Sequence, residues 1–340
     1  MSEQNELPPE AVMMQMISGK FVTVMLYVVA ELKIADLVAE GPRSVADLAK
    51  ETGANERSIY RILRALSSIG TFTETEDGVF GSTPTSDVLR SGVPGSMREM
   101  AIWIGCPFHN TAWSDIMPGV MSGGSNFSQR FGINVFEHMN ENPKDLAIFQ
   151  NAMTGFSGIS AQWVVDAYDF SGASKVVDVG GGNGLLVSKI LAANPSLQGI
   201  LYDLPQVVAG APDVLNAEGV ADRCETIGGS FFEGVPKGAD AYVLKHIIHD
   251  WDDERNKIVL DHCREAMNDG GKVVVVDMVI PPGNDPFFGK LLDIEMLVVT
   301  EGGLERKEEE HRALFESAGL NLDRVIPTEG FICVLEGSAK

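Results

Sequence analysis

The glycine-rich run Gly180-Gly181-Gly182-Asn183-Gly184 follows the β-branched segment Val176-Val177-Asp178-Val179 and precedes the apolar stretch from Leu185 to Ala192. Glycines between a strand and a helix let the backbone approach a ligand with no Cβ in the way, and the helix's first N–H groups stay free to meet it. Asp203 ends the next strand, Ile200-Leu201-Tyr202, about twenty positions on, where a carboxylate can accept hydrogen bonds from both ribose hydroxyls of an adenosine. Two adenosine cofactors fit that spacing. A dinucleotide would use Gly-x-Gly-x-x-Gly, whereas position 185 is Leu185, and the chain ends on a hairpin foreign to an all-parallel dinucleotide sheet. S-adenosyl-L-methionine is therefore favoured over NAD. His249 follows the fourth strand of this half, at the sheet edge where α/β proteins place ligands, and an imidazole there can take a proton from a substrate hydroxyl.

The elements that must position these residues form an alternating α/β half. Strands are expected at 176–179, 200–202, weakly at 224–227, at 241–244 and at 272–276, separated by helix-like or polar sequence, which predicts a parallel sheet. After a helix near 309–318, the runs 321–327 and 331–335 follow in quick succession around Thr328-Glu329-Gly330, predicting an antiparallel hairpin at the sheet edge. The front of the chain is helical. From Ala11 to about Ala39 apolar residues recur at helical spacing, in two pieces, with Gly19 the only breaker. Ser44 caps a short helix that Gly53 ends, Asn55 caps an amphipathic one through Ile59, Leu63 and Leu66, and 72–74 with 78–80 forms a two-stranded wing. This is the pattern of a winged helix-turn-helix. Residues from about 85 to 170 read as further helices with aromatic faces, including Trp103, Trp113, Phe136, Phe149 and Trp163. The divisions are a module over 1–100, a helical linker and pocket region over 101–170, and the α/β domain over 171–340.

The 340 residues carry 26 lysines and arginines against 48 acidic residues, a formal charge of -22. Such a field repels phosphate polyanions and anionic lipid. Within 11–100 nine basic residues face eleven acidic ones, so Arg57, Arg61 and Arg64 on the second helix of the winged module do not make a DNA-reading surface. With 44% apolar residues the chain builds a core, and disorder is excluded. Cys106, Cys224, Cys263 and Cys333 lie far apart, with neither zinc nor disulfide spacing. The apolar stretches near 21–30 and 272–281 are about ten residues long, short of the roughly 20 that span a bilayer. A cytoplasmic protein with no nucleic-acid or membrane partner is expected.

Four segments together resemble the cation-independent small-molecule O-methyltransferases of plants and bacteria. They are Val177 to Gly184, Tyr202-Asp203-Leu204-Pro205, Leu244-Lys245-His246-Ile247-Ile248-His249-Asp250-Trp251, and Gly302-Gly303-Leu304-Glu305-Arg306. The resemblance covers nearly the whole chain. It implies an α/β class I methyltransferase Rossmann-like sheet with a terminal antiparallel hairpin, plus an N-terminal, mostly helical winged-helix dimerisation domain. It implies a homodimer and an aromatic acceptor methylated on a phenolic or enolic hydroxyl.

The resemblance also distributes roles. Gly180 and Gly182 would lie along the cofactor's methionine part, Asp203 would hold the ribose, Lys245 would approach the adenosine side, and Ser157 would meet the cofactor carboxylate. Gly229-Ser230-Phe231-Phe232 matches the segment flanking adenine, with Ser230 where relatives usually carry Asp, so a charge-assisted bond to the adenine amine is lost. His249 matches the catalytic base, and the family flanks that base with two carboxylates, here Glu305 and Asp277. Asp277 replaces a family Glu and is one methylene shorter. Met153 and Asp250 would meet the acceptor. His246 could share a helical face with His249 and make a metal pair, but no third ligand sits at metal spacing and no metal is expected. Two rivals remain open: the same fold and cofactor used for hydroxylation, decarboxylation or pericyclic chemistry, and a winged-helix regulator that senses a metabolite.

Overall fold

In the computed structural model, residues 7–340 are described, apart from the side chains at 156, 157 and 159. The chain divides into two compact units, one of residues up to 111 together with 144–156, the other of 112–143 and 157–340.

In the first unit the leading helix runs Pro9–Glu31 without interruption at Gly19, and the break comes later, at Lys33, whose backbone is left-handed (φ 52) ahead of the short helix Ile34–Leu37. Only part of this helix reads as apolar in the sequence, yet its 23 residues are long and apolar enough to cross a membrane by length and composition. Most of it is exposed, and Met13, Ile17 and Phe21 form an apolar row at helical spacing. The Ser44 and Asn55 side chains accept the Asp47 and Ser58 N–H groups and cap the helices Val45–Thr52 and Glu56–Ser67. Glu56–Ser67 buries Ile59, Leu63 and Leu66, a spacing of one helical face, and turns its arginines outward. Strands β1 (Arg43–Ser44), β2 (Thr73–Glu76) and β3 (Val79–Gly81) pair antiparallel in the order β1-β3-β2 and complete the wing.

The second unit is built on seven strands: β4 (Lys175–Val179), β5 (Gln198–Asp203), β6 (Cys224–Gly228), β7 (Ala239–Lys245), β8 (Met267–Asp277), β9 (Leu320–Pro327) and β10 (Cys333–Ala339). Their order is β6-β5-β4-β7-β8-β10-β9. The first five are parallel, and β10 runs antiparallel to both β8 and β9. Val176, Val177, Val179, Val243, Leu244 and Val273 to Val276 are fully buried, because helices cover both faces of the parallel part. β8 begins five residues before the expected 272. Met267-Asn268-Asp269-Gly270-Gly271 has the composition of a turn, but Met267 already pairs with Ala239 of β7, and the rest lies in a register shift before pairing resumes between Lys272 and Ala241. β10 starts two residues later than expected, since Phe331 packs edge-on against Trp163 instead of entering the ladder. Strand order reverses between β4, which leads outward to β5 and β6, and β7, which leads to β8. A crevice opens at the carboxyl ends of strands at such a reversal. The loops after β4, β5, β7 and β8 all leave from that edge.

Candidate active site

The turn after β4 depends on backbone that side chains resist: Gly180, Gly182 and Gly184 all have positive φ (69, 62 and 86). The Gly180 N–H donates to the Tyr202 carbonyl at 2.7 Å, and the Gly182 N–H donates to Asp203 Oδ2 at 2.8 Å, so the end of β5 holds the turn in shape. Asp203 Oδ1 accepts the Leu204 N–H at 2.6 Å. Each carboxylate oxygen thus takes one backbone bond and has a second lone pair to offer a ligand hydroxyl. Burial pushes the Asp203 carboxyl upward against those two bonds, which pull it down. Beneath the turn, burial pushes Asp178 up to about 7, opposed by the Val187 N–H that it accepts at 3.2 Å and by Lys245. Lys245, at the end of β7, is drawn down to about 8 by its own burial, against the pull of Asp178 and Asp277.

A Cβ on Gly180 would run into Ile247 and lie 3.5 Å from Phe231, which places the glycine turn, the β7 loop and the 229–232 segment together. His262 Nδ1–H donates to the Phe231 carbonyl at 2.9 Å and fixes that segment. The Ser230 hydroxyl accepts the Phe232 N–H at 3.3 Å. Trp251 stacks on Phe136 (centroids 5.4 Å apart) and meets the Phe232 ring edge-on at 4.8 Å.

His249 lies in the 3-10 turn Ile248–Asp250 and is buried. Its Nδ1–H donates to Glu305 Oε1 at 2.6 Å, which leaves Nε2 as the ring atom that can receive a proton; Asp250 Oδ1 stands 3.6 Å from it. Asp277 Oδ1 is 3.9 Å from His249 Nδ1, beyond hydrogen-bond reach, and 3.5 Å from His246 Nδ1. The shorter side chain therefore approaches the imidazole without bonding to it, and neither Asp277 oxygen has a hydrogen-bond partner among the described residues. Burial alone would depress His249, but the Glu305, Asp250 and Asp277 carboxylates outweigh it and raise the imidazole to about 10. Burial raises Asp277 to about 8 and Asp250 to about 6, each partly offset by His249.

Residues that spacing gave no role hold this turn. Arg306 is fully buried and donates from Nη1 to the Ile248 carbonyl (3.0 Å) and from Nη2 to the Trp251 carbonyl (3.0 Å), while pairing with Asp253 at 2.7 Å. Asn256 Nδ2 donates to the same two carbonyls at 2.8 Å each. Asp293 Oδ1 accepts the Glu305 N–H at 2.9 Å. A Cβ on Gly303 would strike the His249 carbonyl, so the 302–306 segment lies directly against the histidine turn. A buried arginine that divides its donors between backbone carbonyls and one aspartate has no signature in spacing, because these partners lie far off in sequence and the carbonyls belong to every residue.

The remaining expected residues fall as follows. Met153 is half-buried in the part of the helix Pro143–Ala167 that belongs to the first unit (144–156), and the Ser157 side chain lies outside the described residues. The sequence offers His246 and His249 no third ligand at metal spacing, but in space Asp277 joins them, and ligand atoms of the three residues all lie within 4.8 Å of one another. Asp277 arrives because β8 runs beside β7, pairing Lys245 with Val276, a juxtaposition that spacing along the chain does not reveal.

Comparisons with known proteins bear on this geometry. Residues 113–321 match the O-methyltransferase domain family and residues 14–92 the O-methyltransferase dimerisation domain. The chain is 44% identical to phenazine O-methyltransferase PhzM of Lysobacter antibioticus, over 99% of each chain. The crystal structure of LaPhzM superposes with a TM-score of 0.95 at 44% identity, covering 98% of this chain and 100% of that one. NcsB1, an O-methyltransferase from neocarzinostatin biosynthesis solved with S-adenosylmethionine and 2-hydroxy-5-methyl naphthoic acid, superposes with a TM-score of 0.82 at 30% identity, over 94% and 96% of the two chains.

Asn256→Ala removes one of two donors from each carbonyl that frames His249, at a cost of about 1–3 kcal/mol. Turnover is expected to fall while methyl-donor affinity, measured by calorimetry, stays within a fewfold of the parent. Unchanged turnover would mean that Arg306 alone suffices.

Proposed function

The chain belongs to the O-methyltransferase family, and on that premise we propose that it methylates a phenolic or enolic hydroxyl of a flat aromatic small molecule with His249 as base. The sheet order with its antiparallel C-terminal hairpin is that of the class I methyltransferase fold, and S-adenosylmethionine is the methyl donor. When bound, that donor supplies an electrophilic methyl on a sulfonium. The residues after β4 and β5 suit it: the place of a Gly182 Cβ is open to 4 Å, and Asp203 has an acceptor lone pair free on each oxygen. In this reading the turn from Gly180 cradles the methionine part, Asp203 takes the ribose hydroxyls, and Ser230, Phe231 and Lys245 flank the adenosine. Ser157 and Met153 keep the cofactor-carboxylate and acceptor roles that the resemblance implies.

The observation that carries the catalytic reading is the 2.6 Å bond from His249 to Glu305. It fixes the tautomer with Nε2 as acceptor, orients the ring, and stabilises the imidazolium that forms when the acceptor's proton arrives. A phenol has a pKa near 10. An imidazole raised to about 10 by its three carboxylates matches it, so proton transfer is close to thermoneutral during attack. The neutral base is then scarce at pH 7, and activity through it rises with pH. Asp250, beside Nε2, meets the acceptor side. Alignment of donor and acceptor supplies the larger share of catalysis, up to about 7–11 kcal/mol, and the base adds about 10²–10⁴-fold.

We read the exposed row Met13, Ile17 and Phe21 as part of a homodimer seam, because it lies on the helix that enters the region matching the dimerisation domain. The aromatic acceptor is supported by the phenazine O-methyltransferase relative and by the naphthoic acid bound in NcsB1.

Two outcomes test the reading. With a panel of hydroxyphenazines, hydroxynaphthoates and simple phenols and labelled donor, mass spectrometry is expected to find an O-methyl product, and His249→Ala is expected to lower its kcat by about 10²–10⁴-fold with donor binding retained; full turnover in that variant would remove the base assignment. In Glu305→Gln the chief carboxylate raising His249 is gone, so its pKa falls and the rising limb of kcat against pH moves to lower pH while the plateau drops. A limb that stays in place would show that Glu305 does not set the base.

A further inference from the structure

The proton-transfer scheme uses His249 and Glu305, draws on Asp277 only through its field, and leaves His246, directly beside them, without a task. His246 has left-handed backbone (φ 54), one of two non-glycine residues with positive φ among those described, and strain of that kind persists only where the surroundings hold it. It stacks the His246 ring on that of His249, with centroids 5.2 Å apart and planes 27° apart. Asp277 closes the group from β8. Its side chain is wholly buried, and neither carboxylate oxygen has a hydrogen-bond partner among the described residues. A buried carboxylate without a donor is costly, and either a proton or a cation relieves that cost.

We propose that His246, His249 and Asp277 form a binding site for a nitrogen-preferring divalent cation, represented by zinc, and that the ion inhibits methyl transfer by taking Nδ1 of His249, which leaves the ring's one proton on Nε2, where the acceptor's proton would have to go. Two imidazole nitrogens with one carboxylate oxygen are a donor set suited to zinc, and poorly suited to magnesium or calcium, which take oxygen ligands. Ligands about 2.0–2.2 Å from a tetrahedral ion stand roughly 3.3–3.6 Å apart. His246 Nδ1 and Asp277 Oδ1 are already 3.5 Å apart, and His249 Nδ1 is 3.9 Å from the same oxygen. Glu305 Oε1, 2.6 Å from His249 Nδ1, has to draw back to the tetrahedral spacing to act as a fourth donor once the ion replaces the proton between them. The Asp277, Glu305 and Asp250 carboxylates supply the compensating charge, part of which Lys245 offsets from the other side of Asp277. Binding stands independently of the catalytic reading; only its inhibitory consequence rests on it.

The test titrates zinc chloride alone into the full-length protein in a non-chelating buffer and follows the heat. One ion per chain is expected, with affinity at least about tenfold weaker in His246→Asn, where Asn tolerates the left-handed backbone, and in Asp277→Asn. Cobalt in place of zinc should give ligand-field absorption without thiolate charge-transfer bands, separating this cluster from the four cysteines. Zinc should also lower methyl transfer in the parent and EDTA should restore it. Equal affinity in a folded His246→Asn or Asp277→Asn protein, or no stoichiometric binding, overturns the site. Stoichiometric binding with undiminished methyl transfer overturns the inhibition. A protein that methylates no acceptor at all instead counts against the proposed activity and leaves the calorimetric result to decide the site.

Discussion

The candidate site turns on one hydrogen bond, from His249 Nδ1 to Glu305, made between two segments that no regular element joins. His249 sits on a single 3-10 turn after β7 and Glu305 on a loop after the helix Gly289–Val299, so the bond would be an accident without something to clamp them. Arg306 is the clamp. It follows Glu305 in the chain and reaches back to the carbonyls on both sides of the histidine, so placing one residue places the other. Asn256 repeats the grip from the helix Asp253–Ala266, and Gly303 lets the two backbones touch. Burying a guanidinium is expensive unless every donor is used, and here carbonyls and Asp253 use them.

Electrostatics reinforce the same bond. Each of Asp250, Asp277 and Asp178 is pushed upward by burial, and each is drawn partly back by a positive or protonatable neighbour, His249 for the first two and Lys245 for the third. The carboxyl edge of the sheet is therefore one coupled network extending from the glycine turn to Glu305. A change at Lys245 is felt through Asp178 beneath the turn and through Asp277 beside the histidine, so the donor side and the acceptor side of the crevice share a charge balance.

How much of this was legible in the chain depends on distance along it. Local signals read well: the Ser44 and Asn55 caps, the glycine turn, Asp203 at a strand tip and the final hairpin each depend on a few consecutive residues. The leading helix was harder, since Gly19 has open space around it and costs little, whereas Lys33 breaks the run with no breaker's composition. Pairings between elements did not show. Nothing in the spacing of His246, His249 and Asp277 says that β8 lies against β7, and Asn256 and Arg306 act on backbone carbonyls that every residue possesses. Asp277 is the instructive case. The resemblance implies a residue one methylene longer at this position, but the 3.9 Å gap to His249 and the imidazole of His246 at 3.5 Å belong to the fold.

A base surrounded by carboxylates faces opposing demands. In the base role proposed for His249, the charge that would make it strong enough to accept a phenol's proton also keeps it protonated near neutrality, so strength and availability trade against each other. Separating Asp277 from the imidazole moderates that conflict: at 3.9 Å and without a hydrogen bond it contributes field but no direct bond, leaving Glu305 as the sole bonded carboxylate. A longer side chain at 277 would add a second bond and a still less available base. Asp277 stands 3.5 Å from His246 Nδ1 and 3.9 Å from His249 Nδ1, so one buried side chain faces both imidazoles.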